Sequence, residues 1–261
     1  MLAVESQAFV DVLSSIGSYT RRVGDGGLRF HEVRVLVGQR SLRIVATQAI
    51  GPGETGAMGA FNVLQQHYHP RIIALAGIAG GLHPSLNHGD VVVAEEVVYY
   101  DARKETPEET YRRGHSLPVP AHVRRAINDF FSTRGEPCSL SQADPDGKVR
   151  AFNLWPGPIG SGSAVIANEH SDVREYLRRF NDKMLAVETE AAGLADAFYQ
   201  SFTNSLPDGW LAIRGISDKA NSRKNDRFHR IAAWHAMAAL TEISPGLVPD
   251  GDSRLSRGPY R

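Results

Sequence analysis

Apolar residues recur along this chain in two rhythms, and the switches between them outline alternating strands and helices. Ala8, Phe9, Val12, Leu13 and Ile16 share one helical face over residues 5–16. Helices are also predicted from the glycine-rich loop at 49–56 to about His67, over 120–133, 171–180 and 189–199, and over 225–243. Ser171 supplies an N-cap and an acidic first turn follows it. Short apolar runs at 71–76, 91–100, 154–161, 184–187 and 210–216 read as strands, the first of them β-branched and buried on both faces. Residues 28–37 and 41–47 read as a hairpin around Gly38-Gln39-Arg40. Residues 1–4 read as the stub of a truncated strand, with Glu5 at the turn into the first helix.

The remaining stretches lack a period. Residues 18–27 read as a turn-rich connection, 101–117 as a mobile charged loop, and 135–150 as polar and weakly defined. The tail at 245–261 is rich in Gly, Pro, Ser and Arg and is expected to be flexible. Strands alternating with helices predict one α/β domain over 1–244, with a central, mostly parallel sheet covered on both sides.

Composition narrows the function classes. Lys plus Arg equals Asp plus Glu, 29 each, so the fold as a whole carries no basic field and a nucleic-acid polymer is not the expected partner. One cysteine, Cys138, excludes an intramolecular disulfide and fits a reducing, cytoplasmic setting. No apolar run approaches the roughly 20 residues of a membrane span. The histidines lack ligand spacing, so no metal is expected.

Three carboxylates follow strand-like runs: Glu5, Glu190 and Asp218. Ligands bind outside the carboxyl ends of strands in open parallel sheets, which would put Glu190 and Asp218 at one pocket. Each alone also fits a helix cap or first-turn acid. Glu188, two residues before Glu190, is expected to turn elsewhere, toward Arg214 or a backbone amide. Gly51-Pro52-Gly53 and Gly77-Ile78-Ala79-Gly80-Gly81 allow close backbone approach to a ligand, although each also reads as a tight turn.

Four segments together carry a resemblance. They are Ala76-Gly77-Ile78-Ala79-Gly80-Gly81-Leu82 with Gly89-Asp90-Val91; Ser161-Gly162 with Ala164-Val165-Ile166; Ala186-Val187-Glu188-Thr189-Glu190-Ala191-Ala192; and Ile213-Arg214-Gly215-Ile216-Ser217-Asp218. In this order and spacing the chain resembles the superfamily of purine nucleoside phosphorylases and methylthioadenosine/adenosylhomocysteine nucleosidases. The resemblance implies a three-layer α/β/α fold with a mixed, mostly parallel twisted sheet. It also implies cleavage of the N-ribosidic bond of a purine nucleoside or nucleotide, an adenosine-type substrate first, with no metal or organic cofactor. Homodimers or larger assemblies are the family's habit.

On that resemblance Asp218 takes the place of the acid that protonates the leaving base, with Ser217 beside it. Glu190 takes that of the ribose-binding carboxylate, and Glu5 that of the residue orienting the attacking water. Gly51, Gly77 and Ile78 fall on the loops holding water or phosphate. Ser161, Val165 and Ile166 fall on the segment lining the base, and Val187, Glu188 and Thr189 beside the sugar. Phe228 lies close to the position of the aromatic that closes the base pocket, where Asn225 falls.

Three departures matter. Ile78 stands where many members have serine, and the strand before it lacks the phosphate-gripping arginine; both favour hydrolysis over phosphorolysis. Ser163 replaces the usual aspartate. Lys219, Arg223, Lys224 and Arg227 follow Asp218, either as a basic lid for nucleotide phosphates or as a solvated loop. The fragments Val98-Tyr99-Tyr100-Asp101 and 214–226 are also similar to a subgroup found as effector modules in bacterial signalling or defence proteins, so a nucleotide-sensing module is a further reading.

Overall fold

The computed structural model describes residues 3–37, 40–143, 146–201 and 207–248. Helix α1 (Ala3–Ile16) leads into strands β1 (Ser18–Val23), β2 (Arg29–Val37) and β3 (Arg40–Thr47), then helix α2 (Glu54–Tyr68). Next come β4 (Ile72–Gly81), β5 (Val91–Tyr99), β6 (Arg103–Glu105), β7 (Thr110–Arg112), β8 (His115–Pro118) and α3 (Ala121–Arg134). The chain continues through β9 (Cys138–Ala143), β10 (Val149–Ser161), α4 (Asp172–Phe180), β11 (Ala186–Glu188), α5 (Ala191–Gln200), β12 (Gly209–Asp218) and α6 (His229–Leu247).

The central sheet is mixed, in the order β8-β5-β12-β4-β11-β10-β9. Its longest ladders, β4 with β12 and β5 with β10, are parallel; the β4–β11 and β5–β12 pairs are antiparallel. Because β5 also pairs with β10, five strands curl into a closed ring rather than an open sheet. Every residue of β12 is buried, as a strand covered on both faces requires. Gly215 packs against α6, where a Cβ would stand 1.9 Å from the Ala232 carbonyl oxygen. Its neighbour Arg214 points the other way, into the turn that starts α5. α6 is flanked by α1 and α3, and α5 carries α2, completing the three layers.

Several local expectations change. Residues 3–4 belong to α1, so Glu5 lies in a helical first turn and not after a strand. Residues 18–23 form β1, which completes a separate three-stranded sheet with the expected hairpin. Its mostly exposed residues show no alternation to read. The 101–117 segment is no structureless loop: it holds the β6–β7 hairpin and β8, which pairs with β5. Residues 138–143 and the start of β10 form an antiparallel pair inside the stretch read as weakly defined. The boundary expected at 245 falls inside α6, which continues through Pro245 and buries Leu247. The rest of the expected tail, 249–261, lies outside the described residues.

Candidate active site

Two groups of charged side chains are set on the β4–β12 pair. Around Arg214, the guanidinium bonds both Glu188 and Glu190, the latter at 2.9 Å. Glu5 reaches the same region from α1 and accepts from the Ile78 amide at 3.0 Å. At the far end of β12, Asp218 accepts from the Ala220 amide at 2.8 Å, the Ser217 hydroxyl at 3.0 Å and the Lys224 ammonium at 2.5 Å. At a rise of about 3.3 Å per residue, Arg214 and Asp218 lie on the order of 10 Å apart along the strand.

Two glycines of β4 make room for these groups. A Cβ at Gly77 would stand 2.3 Å from Arg214 Nη1 and 2.7 Å from Glu5 Oε1. A Cβ at Gly80 would stand 3.1 Å from Asp218 Oδ1 and 2.8 Å from the Ala220 Cβ. The register agrees, with Gly77 opposite Arg214 and Gly80 opposite Asp218. The Gly-Ile-Ala-Gly spacing therefore admits the Arg214 ion-pair network at one end and the Asp218–Lys224 pair at the other.

The helix-cap reading of the carboxylates now divides among them. Glu188 takes the capping work: it accepts from the Glu190 and Ala191 amides, and the Ser161 hydroxyl accepts from Ala192. Glu190 is thereby freed from its own helix. Its Oε1 accepts from the Gly53 amide at 3.2 Å and the Thr189 hydroxyl at 3.1 Å, while Oε2 faces Arg214. Burial by itself would raise its pKa, but the Arg214 charge and the Gly53 amide outweigh it and hold the carboxyl below its ordinary range. Glu190 is thus an anion 18% exposed beside an otherwise buried network. Glu5, Glu190 and Arg214 line a cavity of about 890 Å³ that continues along β4 between β3 and α2, where its walls include Phe61, Leu64 and Ile73.

Residues 7–244 match the sequence profile of the phosphorylase superfamily. The chain belongs to the phosphorylase superfamily. Its relatives include the ATP nucleosidase Cap17 of Escherichia coli, 25% identical over 243 residues, with 89% of this chain and 47% of that protein covered. The chain thus spans about half the length of that relative. The 5′-methylthioadenosine/S-adenosylhomocysteine nucleosidase of Bacillus subtilis (strain 168) is 29% identical over 196 residues, 74% of this chain and 77% of that protein. The fold matches the Neisseria meningitidis 5′-methylthioadenosine/S-adenosylhomocysteine nucleosidase solved with methylthio-immucillin-A, at a TM-score of 0.67 and 21% identity, over 91% of this chain and 94% of that one. It also matches the futalosine hydrolase of Helicobacter pylori strain 26695, at a TM-score of 0.67 and 17% identity, covering 94% of each chain.

The superfamily motifs fall around these two groups. Val187 pairs with Gly80, and its side chain packs with Ile166 and Ala220 in a small cluster of its own. Val165, next to Ile166, is 67% exposed. The 163–166 segment is pinned by the Tyr100 hydroxyl, which donates to the Ala164 carbonyl, and by Asp101, which accepts from the Ser163 amide. Phe228 precedes α6 and stacks on His88, with ring centroids 4.4 Å apart and planes at 6°. Ser161 and Glu188 are buried with their side chains engaged inside the protein. Gly51 lies in the loop before α2, and the amide that reaches Glu190 is that of Gly53. Sequence reasoning offered Gly53 as part of a ligand loop, Lys224 as part of a basic lid and Arg214 as a partner of Glu188, but linked none of them to Glu190 or Asp218, and it did not place His88 in the site. Arg214 had a legible signal, an arginine inside an apolar strand; Gly53 and His88 depend on contacts distant in sequence.

Proposed function

We propose that this chain hydrolyses the N-ribosidic bond of a purine nucleoside or nucleotide and releases the free base. The observation that carries the reading is that β12 bears both Arg214, which fixes the Glu190 anion, and, four residues on, the buried carboxyl of Asp218. Bond cleavage leaves positive charge on the ribose and negative charge on the departing base, so an anion at the sugar and an acid at the base stabilise both. Asp218 gives its proton to the base nitrogen as the C1′–N bond breaks. Glu190 accepts hydrogen bonds from the ribose hydroxyls. Glu5 orients a water whose oxygen bonds C1′ and whose proton passes to the carboxylate. A positioned acid or base contributes about 10²–10⁴-fold. Ser217 supports Asp218, Thr189 and Gly53 support Glu190, and Gly77 and Ile78 shape the water side. Val187, Ile166 and Phe228 are apolar walls available to the base.

Ile78 and the apolar residues around it on β4 carry no cation, and the nearby Arg214 guanidinium is engaged by Glu188 and Glu190, which favours water over phosphate as nucleophile. Relatives named as ATP nucleosidase and 5′-methylthioadenosine/S-adenosylhomocysteine nucleosidase support an adenosine-type substrate. An assembly of two or more copies belongs to the same reading, on the resemblance to the family. A cytoplasmic setting is proposed from the single buried thiol, Cys138. Among the described residues no helix is long and apolar enough to cross a membrane. The test is incubation with adenosine, methylthioadenosine, adenosylhomocysteine, inosine, AMP, ATP and NAD, with and without phosphate. Free base formed without phosphate is expected. Turnover that requires phosphate and yields ribose 1-phosphate would make the chain a phosphorylase.

A further inference from the structure

The segment 219–228, between β12 and α6, is a small built lid. Asn221 Oδ1 accepts from the Arg223 amide at 3.0 Å, and Asn225 Oδ1 from the Arg227 amide at 3.1 Å, folding it into two side-chain-closed turns. Glu169 holds it from outside by accepting from the Ser222 amide at 3.0 Å. Arg174 donates to the Lys219 and Ala220 carbonyls at 3.0 and 3.1 Å. The four cations of the lid then separate. The Lys219 ammonium turns to the Leu86 carbonyl. Arg223 is exposed, and so is Arg227, which lies over the Phe228 ring, 5.5 Å from its centroid. Lys224 alone among these four bonds a carboxylate of the site, with Nζ 2.5 Å from Asp218 Oδ2. Its side chain is 31% exposed, whereas that of Asp218 is 3% exposed.

We propose that Lys224 is a phosphate-reading gate on Asp218: its ammonium occupies a carboxyl oxygen of the acid in the empty site and leaves it when a phosphate of a bound nucleotide takes the ammonium. The inference rests on the reading of Asp218 as the acid that protonates the leaving base. A general acid must carry a proton at the oxygen facing the base. All three groups at the Asp218 carboxylate are donors: the Ala220 amide, the Ser217 hydroxyl and Lys224. The amide is fixed by the β12 exit, and a hydroxyl can rotate to accept instead. Lys224 is the charged member, and it sits on a flexible stem at the solvent side. A phosphate offers up to two negative charges on three acceptor oxygens, so it competes well with a single carboxylate for the ammonium.

Two other titratable groups lie near Asp218. Lys219 is turned to Leu86, and burial together with the Lys219 charge holds His88 below the usual histidine range, so His88 is neutral at pH 7. Neither replaces Lys224. The gate makes nucleotides better substrates than nucleosides through kcat, because a nucleoside has nothing to draw the lysine away.

The test compares kcat and KM for adenosine, AMP and ATP in the unmodified protein and in Lys224→Gln. The unmodified protein is expected to turn over the nucleotides about tenfold faster than adenosine. Lys224→Gln is expected to raise kcat on adenosine about tenfold and lower kcat/KM on ATP by a similar factor, erasing the preference. A second measurement is independent of turnover: carbon-detected NMR of the Asp218 carboxyl. At fixed pH its resonance should move in Lys224→Gln, and in the same direction in the unmodified protein on adding inorganic triphosphate. A variant that slows adenosine and ATP equally, or a carboxyl resonance unmoved by either change, overturns the gate. If no substrate releases base, the proposed reaction fails, and the NMR arm still decides whether Lys224 governs the carboxyl.

Discussion

The Gly53 amide donates to Glu190 across 3.2 Å, tying the start of α2 to the turn between β11 and α5. Two hydrogen-bond donors and a guanidinium therefore converge on one partly exposed carboxylate. The bond exists because α2 and α5 meet closely at Gly193, where a Cβ would stand 2.3 Å from the Glu54 carbonyl oxygen.

Gly193→Ala should push the start of α2 away and remove the Gly53 donor from Glu190. The far-ultraviolet circular dichroism should be retained, while kcat/KM falls by about 10–100-fold, the scale expected when a binding group moves by about 1 Å. Unchanged kinetics in a folded variant would show that this contact is not needed to position Glu190.

Arg214 is 2% exposed and bonds two carboxylates, so its loss leaves buried negative charge without compensation. Arg214→Met should destabilise the fold by about 3–5 kcal/mol in urea unfolding. Glu188→Gln should cost less, because an amide oxygen still accepts from the α5 amides. Equal effects of the two would place the stability in the cap and not in the ion pair.

The depressed pKa of Glu190 has a signed consequence. The unfolded carboxyl titrates at about the ordinary 4.5, and the folded one lower. Between these values the unfolded chain binds more protons, so stability falls as pH falls. The contribution is fully present above about 4.5 and is lost on acidification through the folded value. Urea unfolding from about pH 6 to about pH 3 should therefore show a steeper acid loss in the unmodified protein than in Glu190→Gln. Parallel curves would remove the Glu190–Arg214 pair as the cause.

Much of this architecture was legible because it is local. The 3.6-residue period drew α2, α3 and α4 close to their true bounds, and Ser171 caps α4 by accepting from the Val173 amide at 3.2 Å. What escaped depends on contacts between distant residues. Four apolar residues before Glu5 carry no period, so 3–4 read as strand although they begin α1. β1 is mostly exposed and β6 fully so, and they are held by hairpin partners that side-chain alternation does not reveal. Pro245 reads as a helix stop, yet burial of Ile243 and Leu247 carries α6 past it. In the site, motif order pointed to Glu190 and Asp218. The sharing of Arg214 between Glu188 and Glu190 follows from the β11–β4–β12 register, which no single segment encodes.

The most direct measurement follows base release from adenosine and ATP in phosphate-free buffer as pH is varied, for the unmodified protein and for Asp218→Asn and Glu190→Ala. The account predicts free base and free ribose or ribose phosphate ester without added phosphate. Activity should fall as pH rises, that limb should be absent from the residual activity of Asp218→Asn, and Glu190→Ala should lose about 10²-fold or more. Full turnover by Glu190→Ala, or a pH limb unchanged in Asp218→Asn, would contradict it.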